Sequence, residues 1–137
     1  MLKFYDLEQI EFALSVLSKA KFKKAQTAFK LHNVISKLEP VFLSYYKAKM
    51  ELAKKYGQPN PNDSNLFDIF PEKKDEFLKE FTEFLQSEVD DREIENHIKK
   101  FTIEDFEDML IEENGQYKPF EFTLDFARSI QKLIKDE

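Results

Sequence analysis

From Phe22 to Tyr56 apolar side chains recur at steps of three and four residues: Phe22, Ala25, Ala28, Phe29, His32, Ile35, Leu38, Phe42, Tyr45, Tyr46, Met50, Ala53 and Tyr56. No longer periodic run occurs in the chain, and this spacing predicts a long helix with one buried stripe. Pro40 interrupts it. A proline inside a helix removes one backbone bond and presses its ring on the preceding turn, so a kink or break is expected near Glu39. Gly57 supplies a stop, since glycine readily takes the left-handed conformation past a last turn.

The flanking segments add further helices. Asp6 is read as the cap of a first helix, with Gln9 three residues on and Leu7, Ile10, Ala13, Leu14 and Leu17 on its inner face. Lys19, Lys21, Lys23 and Lys24 mark its end, so a short link would make residues 1–57 an antiparallel, basic helical hairpin. Residues 58–65, Gln-Pro-Asn-Pro-Asn-Asp-Ser-Asn, read as a loop, and Leu66–Phe70 as an extended piece anchoring it. Pro71 and the acids Glu72, Asp75 and Glu76 open another helix, with Phe77, Phe81, Phe84 and Leu85 buried.

The remainder of the acidic portion, 66–137, reads as mixed. Glu88–Lys100 is expected to be extended. Thr102 with Asp105 resembles a capping box, Phe101 and Phe106 stand where a hydrophobic staple would close, and a helix from Ile103 to Ile111 follows. Asn114-Gly115 is a hairpin signal joining strands at Met109–Glu112 and Tyr117–Phe122. A last helix covers Thr123–Lys135, with Phe126, Ala127, Ile130, Leu133 and Ile134 inward. The expected fold is mainly α: a long N-terminal helical hairpin with a smaller C-terminal α+β portion, in a single domain over 1–137.

Composition narrows the function classes. With 42% hydrophobic and 35% charged residues, the chain has too much apolar material for disorder and too much charge for a membrane protein. Fifteen phenylalanines and no tryptophan call for a core of rings without polar handles. The absence of cysteine excludes disulfides and thiolate chemistry and fits a reducing compartment. The opening residues lack the pattern of a signal peptide, and no apolar run is long enough for a membrane span. No phosphate-cradling glycine loop or nucleophile elbow occurs. His32 and His97 lack metal-ligand spacing and read as structural, so neither cofactor nor enzymatic activity is expected.

Charge is split unevenly. Residues 1–56 hold 11 lysines against five acids, whereas 57–137 hold 10 basic residues against 22 acids. Either the two poles face each other or remain solvated within the fold, or each serves a partner of opposite sign. The lysines from Lys19 to Lys37 could touch phosphates, but no arginine precedes Arg92, so specific nucleic-acid binding is not expected. Two acid clusters stand out: Glu88, Asp90, Asp91, Glu93 and Glu95, then Glu104, Asp105, Glu107, Asp108, Glu112 and Glu113. Neither has the spacing of a calcium loop. If they bind anything, a basic protein surface suits them.

The order of features carries a resemblance: Lys-Lys-Tyr-Gly at 54–57, a polar loop, Pro-Glu-Lys-Lys-Asp-Glu-Phe at 71–77, Phe-Leu-Gln-Ser-Glu-Val-Asp at 84–90 and Phe-Thr-Ile-Glu-Asp-Phe-Glu-Asp at 101–108. It is similar to a family of small uncharacterised proteins encoded by tailed phages and prophages of Gram-positive bacteria, and departs from it at Pro40 and around Asn114-Gly115. The resemblance implies a phage accessory protein that acts by binding a host or phage protein in the host cytoplasm. Inhibition of a host or defence protein is the first expectation. A virion component or assembly factor forming a defined oligomer is the alternative.

Overall fold

A computed structural model of the chain describes residues 2–89 and 93–135. Helix α1 (Phe4–Leu17) and strand β1 (Ala20–Lys21) lead into the long helix α2 (Ala25–Tyr56). Strands β2 (Gly57–Asn60) and β3 (Asp63–Ile69) follow, then helix α3 (Lys74–Gln86), entered through a 3-10 turn at Pro71–Lys73. The short helix α4 (Ile94–Ile98), a 3-10 turn at Ile103–Phe106, strands β4 (Leu110–Glu113) and β5 (Gln116–Pro119), and helix α5 (Leu124–Ile130) complete the chain. A long N-terminal helix followed by a smaller α+β region makes the fold mainly α.

The buried stripe of α2 is Thr27, Leu31, Val34, Leu38, Val41 and Tyr45. Steps alternating four and three keep these side chains on one line along the helix. Of the expected stripe, Leu38, Tyr45 and Tyr56 are buried, whereas the rest lies to one side of that line: Phe29 and His32 are exposed, and Ile35 and Phe42 only half-buried. Leu7, Ile10, Ala13 and Leu17 of α1, Ile94 and Ile98 of α4, and Phe126 and Ile130 of α5 join the same core, which also takes in Phe101, Phe106 and Leu133. Phe101 and Phe106 meet at 5.2 Å between ring centroids, as a staple requires.

Several boundaries differ from the sequence reading. Helix α1 starts one turn earlier, because Asp6 stands inside it and its Oδ2 accepts from the Lys3 amide at 2.9 Å. Helix α2 starts only at Ala25, because β1 is drawn into a sheet in which Ala20 faces Ile111 and Lys21 faces Leu110. It then runs unbroken through Pro40. One missing bond in so long a ladder is outweighed by packing on both sides of it. Gly57 is extended rather than left-handed, with φ −154°. What demands glycine there is space, since a Cβ would lie 2.3 Å from the Asp68 carbonyl oxygen.

The stretch 58–65 is no open loop. It builds an antiparallel hairpin in which Gln58 faces Asp68 and Pro59 faces Phe67, and the Asn60 side chain accepts from the Asn62 amide at 2.8 Å to turn the chain. Within Glu88–Lys100, α4 replaces the expected extended segment, with Ile94 and Ile98 four residues apart on its buried side. The helix expected from Ile103 to Ile111 shortens to the 3-10 turn, because Leu110 and Ile111 pair with Pro119 and Lys118. Asn114 and Gly115 both take positive φ, 53° and 79°, as the tightest hairpin turn needs. Thr123 caps α5, its hydroxyl accepting from the Phe126 amide at 3.1 Å, and a 3-10 turn at Gln131–Leu133 ends that helix earlier than expected.

Helix α3 buries no residue fully. It is attached by rings: Phe84 lies 4.5 Å from Phe4 and 5.9 Å from Tyr45, and Phe77 lies 6.2 Å from Tyr56. Among the described residues, no helix is long and apolar enough to cross a membrane.

Candidate functional site

The segment 101–108 is held at its centre and open at its edges. Asp105 is the anchor. Its Oδ2 accepts from the Thr102 amide at 2.7 Å, and its Oδ1 from the Thr27 hydroxyl at 3.1 Å. Lys30 Nζ stands 2.9 Å from Oδ2, and the Asp105 side chain is only 7% exposed. Burial works against its charge, but the Thr102 amide, the Lys30 ammonium and the Thr27 hydroxyl together outweigh it and hold the carboxyl below the usual carboxylate range. The capping box read from the sequence therefore also ties this turn to the first turns of α2.

Around that anchor Glu104, Glu107 and Asp108 face outward. Asp108 has φ 60°, a left-handed conformation that a short polar side chain tolerates and that re-aims the chain toward β4. These acids line a small cleft of about 120 Å³ with Lys23 and Lys24, so the basic link and the second acid cluster meet across it. Asp90 and Asp91 of the first cluster lie outside the described residues. Glu93 is exposed ahead of α4 and Glu95 is half-buried in its first turn. Among the described residues, no group of three or more His, Asp or Glu is placed to hold a metal ion.

Lys21 of the link is also engaged, its Nζ 3.9 Å above the Tyr117 ring. At the far end of α2, Glu80 accepts from Lys55 Nζ at 2.7 Å and also bonds Tyr56. The Lys55 ammonium and the Tyr56 hydroxyl lower the Glu80 carboxyl, on an exposed face where such pairs contribute little. Between α1 and α2, Tyr45 donates to Glu8 at 2.7 Å and Tyr46 donates to Glu11. Burial and the Glu11 carboxylate push Tyr46 up to about 12, so both phenols stay protonated donors.

Two grooves follow from how the helices pack. A groove of about 450 Å³ between α1 and α5 is lined by Tyr5, Glu8, Gln9, Phe12, Asp125 and Arg128, among others. A second, of about 400 Å³, opens beside α2. The signal for the second was present: α2 carries more apolar residues than one stripe can bury, and a surplus at helical spacing marks a second face. Comparison of the chain with known protein families, with curated proteins and with solved structures finds no match.

Proposed function

We propose that this protein is a noncatalytic binding module, a phage accessory protein that inhibits a host or defence protein by laying an acidic face on a basic, nucleic-acid-binding surface. The observation that supports this reading is the pinned turn at 101–108. Asp105 is spent on internal bonds, so Glu104, Glu107 and Asp108 are presented by a backbone that does not have to order itself on binding, which lowers the entropic cost of association. The net charge of −6 steers such a surface toward basic targets. Lys23 and Lys24 beside the acids weaken the local field, and a cationic partner competes with them for the carboxylates. Glu93 and Glu95, with Asp90 and Asp91 outside the described residues, are the further acids that the sequence offers to such a partner.

The test is capture of partners by the tagged protein from a Gram-positive host lysate, repeated with Glu104→Lys, Glu107→Lys and Asp108→Asn combined. Recovery of one basic host protein by the wild type, its loss with the triple variant and weaker binding as salt rises support the reading. Affinity that neither the variant nor salt changes counts against it. The runner-up is a virion component or assembly factor acting as a defined oligomer. The exposed apolar side of α2 favours that alternative.

A further inference from the structure

Helix α2 has two apolar faces. The first is the buried stripe from Thr27 to Tyr45. The second lies beside it and carries Ile35, Phe42, Leu43, Tyr46 and Met50. Leu43 is 70% exposed, Tyr46 45% and Met50 37%. On its α1 side this row borders the groove of about 400 Å³, whose walls are Leu14, Ile35, Glu39, Phe42, Leu43 and Tyr46.

We propose that this row is the seam of a homodimer in which two copies of α2 pack antiparallel about a twofold axis at Leu43. A twofold interface needs one patch complementary to itself. The row supplies both parts, a projecting Leu43 and an apolar groove beside it. Charge selects the orientation. Glu39 lies one turn before Leu43 and Lys47 one turn after, and neither makes an ion pair among the described residues. An antiparallel pair centred on Leu43 sets Glu39 of each copy opposite Lys47 of the other, twice. A parallel pair would set like against like. Of the other bases on this stretch, Lys49 leans toward the Tyr45 and Phe81 rings, and Lys37 stands about 120° round the helix from Leu43, both away from the seam. At the ends of the row, Met50 of one copy meets Ser36 and Ile35 of the other.

From Ile35 to Met50 the row spans roughly 22 Å of helix. That is a seam one helix wide, whereas a stable interface buries ~800 Å² per partner, so the dimer forms reversibly with concentration. The pairing does not depend on which target the acidic turn meets, and its test uses the purified chain alone.

Sedimentation equilibrium over about 1 to 500 μM reads the dimerisation constant directly. A concentration-dependent dimer is expected, and Leu43→Asp should weaken it by about tenfold or more. Because Leu43 is exposed, this variant keeps the wild-type circular dichroism spectrum and melting curve. Glu39→Lys and Lys47→Glu should each weaken the dimer, and the double reversal should restore it. The two positions are about 12 Å apart along one helix, too far for that rescue to arise within one copy. A monomer at every concentration, a dimer indifferent to Leu43→Asp, or a double reversal no better than the single ones would overturn the proposal.

Discussion

Asp105 shows how one side chain can serve two levels of structure. Its bond to the Thr102 amide is local and visible in the spacing Thr-x-x-Asp, whereas its bonds to Thr27 and Lys30 cross more than seventy residues. Asp105→Asn should lower stability at neutral pH by about 1–3 kcal/mol, because it removes the charge that Lys30 and Thr27 were placed to meet. Urea unfolding would measure it. The pH dependence has a definite sign. The folded-state carboxyl sits below its ordinary value, so its contribution is complete above about pH 4 and fades as pH falls through the lower folded value. The gap between wild type and Asp105→Asn should therefore narrow in acid. A gap that is constant between pH 7 and pH 3 would remove the charge from the explanation.

At the scale of elements, α2 is a helix whose length overrides a local fault. Pro40 is exposed and leaves the Ser36 carbonyl without its usual amide four residues on. Since the helix is continuous there, Pro40→Ala should restore the bond without opening the core. The expected gain is about 1–2 kcal/mol, after allowing for the freedom that proline removes from the unfolded chain. A rise in the urea midpoint at unchanged slope would show it, and a fall would mean that the proline ring itself carries packing. The hairpin at Asn114-Gly115 is the opposite case, a turn whose residues match its backbone, with φ 53° and 79°. There the local signal and the structure agree because the turn needs no help from distant residues.

Across the whole molecule, stability is distributed unevenly. The cluster of fully buried side chains runs from Leu2 to Leu133 but includes no member of β2, β3 or α3. That end of α2 is clothed instead by half-buried rings such as Phe77, Phe81 and Phe84. Local opening is governed by how much apolar surface an element buries. Amide hydrogen exchange should therefore be faster in α3 and the β2–β3 hairpin than in α1 or in α2 between Leu31 and Tyr45. Uniform protection across both regions would mean that the molecule opens only as one unit. The acidic turn at 101–108 belongs to the well-buried side, since Phe101 and Phe106 are core residues.

What the sequence determined by itself is what short-range physics controls. Helix α1 and its inner face, the Thr102–Asp105 cap with its Phe101–Phe106 staple, the Asn114-Gly115 turn and the long helix ending at Tyr56 all depend on residues within a few positions of one another. Tertiary structure decided the rest. Which side of α2 is buried could not be read from spacing, because two adjacent apolar faces compete and only the positions of α1, α3 and α4 choose between them. Whether 58–65 is a loop or a hairpin turned on pairing with Phe67 and Asp68. Among the acids, neighbours that look alike in sequence diverge: Asp105 turns inward to Lys30 while Glu104 and Glu107 face out. Burial of a charge is set by what the fold brings opposite it, and that partner can lie anywhere along the chain.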